Sequence, residues 1–217
     1  MKNTSYILCL LLYFFSVVTS CSQKKDEQRK EEKRKVLKEC RALNDVAIEK
    51  LNSYYYQGNE ADKLDSALVL LQRAVECDTN YFLAYANMAT VLTLKGNYNS
   101  AIEVVNKLLT LTNNDPEIVV YKGMLYEKQG KRDIAKKQYT FANELYDKRI
   151  AQYPDSVEII ADKMILKAYL EGKEKALAEL DRYIQKYPNS LVLQQYKEIL
   201  SKFDREDFIG SIGPIRQ

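Results

Sequence analysis

Two stretches decide the fold: residues 96–105 (GNYNSAIEVV) and residues 130–139 (GKRDIAKKQY), which lie 34 positions apart. In each, a glycine is followed five residues later by an alanine, Ala101 or Ala135, which begins a stretch with helical spacing of apolar residues. Ala67 lies another 34 positions upstream and begins a similar stretch, ALVLLQRAVE. A period of this length predicts a stack of similar helical units.

The second half of the chain keeps the same period with one insertion. Pro154 and Pro188 lie 34 residues apart in the similar segments IAQYPDSV and IQKYPNSL. Ala176, however, follows Ala135 by 41 residues, which is one period plus seven. Seven residues make about two helical turns and leave the apolar face where it was. We therefore expect one lengthened helix, from Asp133 to about Tyr153.

The composition supports an all-α chain and argues against several functions. Among 217 residues there are only 7 glycines and 4 prolines, too few for the turns of a sandwich or barrel. Histidine is absent, which excludes Ser-His-Asp catalysis and His-ligated metal sites. The net charge of +3 lacks the basic excess of a nucleic-acid binder. We therefore expect a binding protein, not an enzyme, with no metal and no cofactor.

The repeat resembles the tetratricopeptide repeat (TPR), a 34-residue helix–turn–helix unit with an aromatic-x₂-Leu-Gly-x₂-Tyr helix followed by Ala-x₃-Phe. The matching positions are Gly123, Tyr126, Ala135 and Tyr139 in one unit, and Tyr85, Met88, Ala89, Leu92, Ala101 and Val105 in another. Lys122 departs from the family, which has leucine there. The resemblance implies an all-α solenoid of about 3.5–4 repeats over residues 36–203. Residues 191–203 would form a C-terminal capping helix, and residues 204–217 a flexible tail. Packing of Phe208 and Ile209 against the cap is the alternative for the tail.

The N-terminal sequence is typical of a targeting segment. The apolar run Ile7–Val18 has 12 residues, fewer than the roughly 20 that cross a membrane. It ends in Val-Thr-Ser-Cys21, which resembles the lipobox of bacterial lipoproteins. The resemblance implies that residues 1–20 are a signal peptide and that Cys21 carries lipid. Ordinary signal cleavage, with an unmodified Cys21 thiol, is the alternative.

Residues 21–35 are almost all charged or polar and are expected to form a tether. Their beginning, SQKKDE, resembles a tag that sends lipoproteins to the outer surface of one Gram-negative lineage, although a plain solvated tether explains it equally well. The expected location is the bacterial outer membrane, at its periplasmic face or at the cell surface.

Two further cysteines, Cys40 and Cys77, remain in the repeat region. Cys40 lies early in the first predicted helix and Cys77 at the end of the second. Antiparallel packing brings these ends together, so the pair is a candidate disulfide if the Cα atoms come within about 7 Å. Two buried thiols acting as small apolar residues are the alternative.

A candidate partner-binding groove follows from the first helices of the second and third units. One stripe on each helix has i, i+3, i+7 spacing and faces away from the packing residues. The stripe residues are Asn87, Thr90, Leu94, Tyr121, Met124 and Lys128. Lys163 and Leu166 would continue the stripe in the fourth unit. Alternatively, Tyr121 and Met124 contact the first helix of the neighbouring unit.

Tetratricopeptide proteins often bind acidic C-terminal peptides through asparagines and several cations. Asn87 lies at one such asparagine position, but Glu117 and Tyr121 occupy positions where the family has cations, so this specificity is not expected. The sequence predicts a lipid-anchored scaffold that binds an envelope protein or peptide. A glycan-binding accessory lipoprotein of a surface uptake system is the alternative.

Overall fold

The computed structural model describes residues 34–57 and 60–212, and within these ranges it contains ten helices and no strand. The predicted all-α fold is confirmed. The expected signal peptide and Cys21 lie outside the described residues. The helices are α1 (34–57), α2 (Ala61–Cys77), α3 (Phe82–Leu94), α4 (Tyr98–Leu111), α5 (Pro116–Lys128), α6 (Arg132–Gln152), α7 (Val157–Glu171), α8 (Lys173–Lys186), α9 (Leu191–Ser201) and α10 (Arg205–Ser211).

Successive helices pack against each other, from α2 on α3 through to α8 on α9. Their short connections make neighbours antiparallel. Helix α7 also contacts α9 directly, and hydrogen bonds join α1 to α3 and α3 to α5, so odd-numbered helices lie side by side along one side of the stack. Leu68, Tyr85 and Met88 pack against both clusters of buried apolar residues, which joins them into one core along the stack.

Small residues mark the places where helices approach most closely. The four alanines of the sequence period, Ala67, Ala101, Ala135 and Ala176, are completely buried. Gly123 of α5 has the same function, because a Cβ atom there would lie 2.4 Å from Cε1 of a tyrosine on α6. The small residues that repeat along the sequence therefore mark the positions where neighbouring helices contact each other.

Glycine ends two of the odd-numbered helices. Gly96 has φ 73° and Gly130 has φ 74°, in the left-handed region that side chains disfavour. The amide of Asn97 donates to the carbonyl of Leu92 at 2.9 Å, and the equivalent bond after Gly130 has the same length. This hydrogen-bonded reversal caps the last carbonyls of the helix.

The predicted insertion lies in α6. This helix has 21 residues, whereas its counterparts α4 and α8 have 14 each. The difference is seven residues, and Ala135 and Tyr139 keep their buried positions at its start. The extra two turns lengthen the helix without changing which face it buries.

A disulfide joins α1 to α2. Cys40 and Cys77 are bonded, with their Cα atoms 5.6 Å apart. Cys40 is buried, and the bond ties the first helix to the C-terminal end of the second.

The C-terminal region differs from the expected flexible tail. Helix α9 packs on α7 and α8 as a cap, and residues 205–211 then form α10, which contacts α5. Arg205 forms an ion pair with Glu127 of α5, whose side chain is only 6% exposed. A carboxylate this buried requires a cation or strong donors, and Arg205 supplies the charge.

Candidate binding surface

The structure places the predicted stripe along the seams between odd-numbered helices. Asn87 of α3 donates from Nδ2 to Oδ1 of Asn44 on α1 at 2.8 Å. Tyr121 of α5 forms a 2.6 Å hydrogen bond between its hydroxyl and Oγ1 of Thr93 on α3. Burial raises the pKa of the Tyr121 hydroxyl above its usual value. These stripe residues therefore hold neighbouring units together.

Two stripe residues are not exposed as expected. Leu94 is 6% exposed and Met124 is 8% exposed, and both belong to the core. Lys128 lies at the end of α5, where its Nζ approaches the carbonyl oxygen of Gly210 in α10 at 3.4 Å. The neighbouring odd-numbered helix and α10 cover this side of α5 because adjacent units pack closely.

A first cavity of about 270 Å³ lies between α3 and α5, with one residue from α4. Thr90 and Tyr121 of the predicted stripe contribute to it, so part of the stripe does border open space. The cavity is mostly apolar. Its lining residues are Phe82, Ala86, Ala89, Thr90, Leu108, Glu117, Ile118 and Tyr121.

A second cavity of about 310 Å³ lies between α5, α7 and α9, with one residue from α6. It is also mostly apolar, but it contains two carboxylates and two tyrosines. Its lining residues are Glu117, Val120, Tyr146, Asp162, Ile165, Leu166, Tyr196 and Ile199. We refer to the surface around these two cavities as the odd-helix face.

The register in the fourth unit differs by one residue from the predicted stripe. Asp162 lines the second cavity, whereas Lys163 forms an ion pair with Asp147 on α6. Leu166 lines the cavity as expected, although it is almost fully buried. Asp162 lies five residues after the first residue of α7, just as Tyr121 lies five residues after the first residue of α5.

The carboxylates of the second cavity influence each other. Partial burial raises the pKa of Glu117, and the nearby Asp162 and Asp115 raise it further, while Arg149 opposes them. Asp162 accepts a hydrogen bond from the Tyr196 hydroxyl, 34 residues along the chain. Burial, followed by the same carboxylates, raises the pKa of the Tyr146 hydroxyl.

Within residues 34–57 and 60–212, no group of three or more potential metal-ligating side chains comes together. In the same ranges, no helix has the length and apolar character needed to span a membrane. The two cavities provide concave apolar surface and two carboxylates, and this combination suits noncovalent binding.

Comparison with known proteins supports the repeat interpretation. Residues 70–103 match the model of the family described as Tetratricopeptide repeat. Over 74 residues the chain is 30% identical to the mitochondrial import receptor subunit TOM70 of Rattus norvegicus, covering 34% of this chain and 12% of that protein. The Homo sapiens subunit matches with the same identity and coverage. The chain thus spans 12% of the length of these curated relatives.

Among solved structures, a tetratricopeptide repeat protein from Parabacteroides merdae is 20% identical, with a TM-score of 0.49. That match covers 74% of this chain and 57% of the other. YrrB, described as a TPR protein with an unusual peptide-binding site, is 18% identical over 69% of this chain and 97% of its own, with a TM-score of 0.34. The helix order confirms the predicted all-α class, and the match over residues 70–103 supports tetratricopeptide-type repeats in that part of the chain.

Proposed function

We propose that the odd-helix face binds a protein or peptide segment and that the chain is a lipid-anchored scaffold of the bacterial envelope. The observation that carries the binding function is the pair of adjoining cavities between odd-numbered helices. Phe82 and Ile199 lie at their rims with 39% and 50% of their surface exposed. Stacked helical repeats use such extended surfaces to hold partners.

The anchoring proposal rests on the sequence Val-Thr-Ser-Cys21 after the short apolar run. Lipid on Cys21 would hold the scaffold at the outer membrane, since each buried CH₂ contributes about 0.8 kcal/mol. The Cys40–Cys77 disulfide supports export, because disulfides persist in oxidising compartments outside the cytosol.

Binding is tested with a fluorescent library of random-sequence peptides and the detergent-solubilised full chain. The wild-type protein is expected to select a peptide consensus, and a Phe82→Ser/Ile199→Ser variant is expected to lose it. Val69→Ser/Phe141→Ser is the matched control, because these side chains have similar exposure on even-numbered helices. Equal binding by both double variants would remove the odd-helix face from the proposal. Binding of fluorescent polysaccharides, but of no peptide, by the wild-type protein would favour the glycan-binding alternative.

Anchoring is tested separately by replacing Cys21 with serine. The wild-type chain should incorporate labelled palmitate and fractionate with the outer membrane, whereas the Cys21→Ser variant should incorporate none. Palmitate labelling that persists in the variant would contradict the assignment of Cys21 as the lipid-bearing residue.

A further inference from the structure

Glu117 lies in the wall that the two cavities share. It is the second residue of α5, and it lines both the cavity between α3 and α5 and the cavity between α5, α7 and α9. Apolar side chains lie on either side of it, with Ile118 in the first cavity and Ile165 in the second. The odd-helix face therefore presents a carboxylate between two apolar compartments.

Glu117 lies within hydrogen-bonding distance of its neighbour Asp162, and in the part of the chain that the structure describes no nearby cation pairs with either carboxyl group. Arg149 is the cation that acts on Glu117, but its Nη2 is 2.7 Å from Oδ2 of Asp115. Lys163 is adjacent to Asp162 in sequence but pairs with α6 instead. Within the described ranges, neither Glu117 nor Asp162 has a Lys or Arg nitrogen within 4.0 Å.

We infer that the odd-helix face binds a peptide segment in which a lysine or arginine lies between two apolar residues. This inference rests on the proposed binding function and specifies the partner. The cation would lie between Glu117 and Asp162, where it replaces carboxylate repulsion with attraction. The flanking apolar side chains would enter the two cavities. An acidic segment is disfavoured at the same place, because like charges brought together raise the free energy of the complex.

The test uses four acetylated, amidated peptide pools with a fixed central residue and random apolar or small flanks. The central residue is lysine, arginine, norleucine or glutamate. Fluorescence anisotropy is measured with the detergent-solubilised full chain, as wild type, Glu117→Gln/Asp162→Asn, and a charge-matched control. Glu103→Gln/Glu144→Gln is that control, because both residues are exposed on even-numbered helices.

The wild-type and control proteins should bind the lysine and arginine pools at least roughly tenfold more tightly than the glutamate pool, since partly buried charged contacts are worth more than surface ones. The Glu117→Gln/Asp162→Asn variant should lose this preference and keep its affinity for the norleucine pool. Retained affinity for that pool also shows that the variant is folded.

Three results would overturn the inference. Wild-type binding that is equal for all four pools leaves the proposed function standing but removes the basic specificity. If none of the four pools binds, both the proposed binding function and the basic specificity are wrong. Wild-type self-association in sedimentation, abolished by Glu117→Gln/Asp162→Asn, would assign the face to a second copy of the chain.

Discussion

Replacing Gly123 with alanine tests how closely α5 and α6 approach. A Cβ atom at this position would lie 2.4 Å from Cε1, 2.8 Å from Cδ1 and 3.0 Å from Cζ of Tyr139. Favourable carbon–carbon contacts occur at about 3.5–4.0 Å. The Tyr139 ring is 1% exposed, stacks on Tyr169 with centroids 5.5 Å apart, and donates its hydroxyl to Oε2 of Glu127 at 3.0 Å. The ring has no free space into which it could move.

The expected magnitude follows from two opposing effects. Forcing an extra carbon into a packed core costs about 1–3 kcal/mol, and contact with a ring held on three sides places this case near the upper end. Alanine in a helix interior is about 1 kcal/mol more favourable than glycine. The net loss in the free energy of unfolding is therefore about 2 kcal/mol. For a chain of this size, that loss lowers the Tm by roughly 4–8 °C.

The assay is thermal and urea unfolding of the wild type and two glycine-to-alanine variants. Gly210→Ala is the matched control: it also lies in a helix, and no described atom comes within 4 Å of the added Cβ. It should be neutral or up to about 1 kcal/mol more stable. A Gly123→Ala protein as stable as the wild type would refute the argument. So would simple additivity with Tyr139→Leu, since a smaller residue at 139 should relieve the clash.

Three further outcomes are expected. Reducing the Cys40–Cys77 disulfide should lower the free energy of unfolding by about 4 kcal/mol, from the loop entropy of a 37-residue separation, and unfolding in denaturant with and without dithiothreitol measures it. Arg205→Met should cost roughly 1–3 kcal/mol and speed hydrogen exchange in α10, because Glu127 loses its charged partner; unchanged exchange would contradict this. Glu117→Gln should raise the Tm at pH 7 but not at pH 4. The raised pKa of Glu117 means that the folded state binds the proton more tightly than the unfolded state does. The wild type therefore loses stability as the pH rises above 4.5, the ordinary pKa of this side chain.

The sequence predicted the parts of the fold that depend on repeated local contacts. Small residues at a constant interval mark where paired helices touch, so Ala101 and Ala135 located the helix pairs. The longer interval from Ala135 to Ala176 located the extra seven residues of α6. The two glycines after α3 and α5 repeat with the same period and lie in the turns, where the backbone has a positive φ.

The candidate site was harder to predict, because it depends on how neighbouring units are oriented. Helical spacing identifies which residues share a face, but the angle between units decides whether that face is open. Met124 shares a face with Tyr121 and is nevertheless covered. Asp162, and not the predicted Lys163, lines the second cavity.

Helix α10 and its ion pair with α5 were not predicted, although packing of Ile209 against the core was one of the two expectations for the tail. Arg205 and Glu127 lie 78 residues apart, and no periodic pattern relates them. A pairing between unique residues that are distant along the chain leaves no signal in a single sequence.

The bond between α1 and α2 also determines how a mechanical pull travels through the molecule. Tension applied to the chain ahead of residue 40 passes at Cys40 through the sulfur atoms to Cys77 and continues into α3. Residues 41–76, which include most of α1 and nearly all of α2, then carry no load. A membrane anchor at the N-terminus would therefore pull first on the junction between α2 and α3, and the first helix pair would keep its fold while the later repeats are stretched.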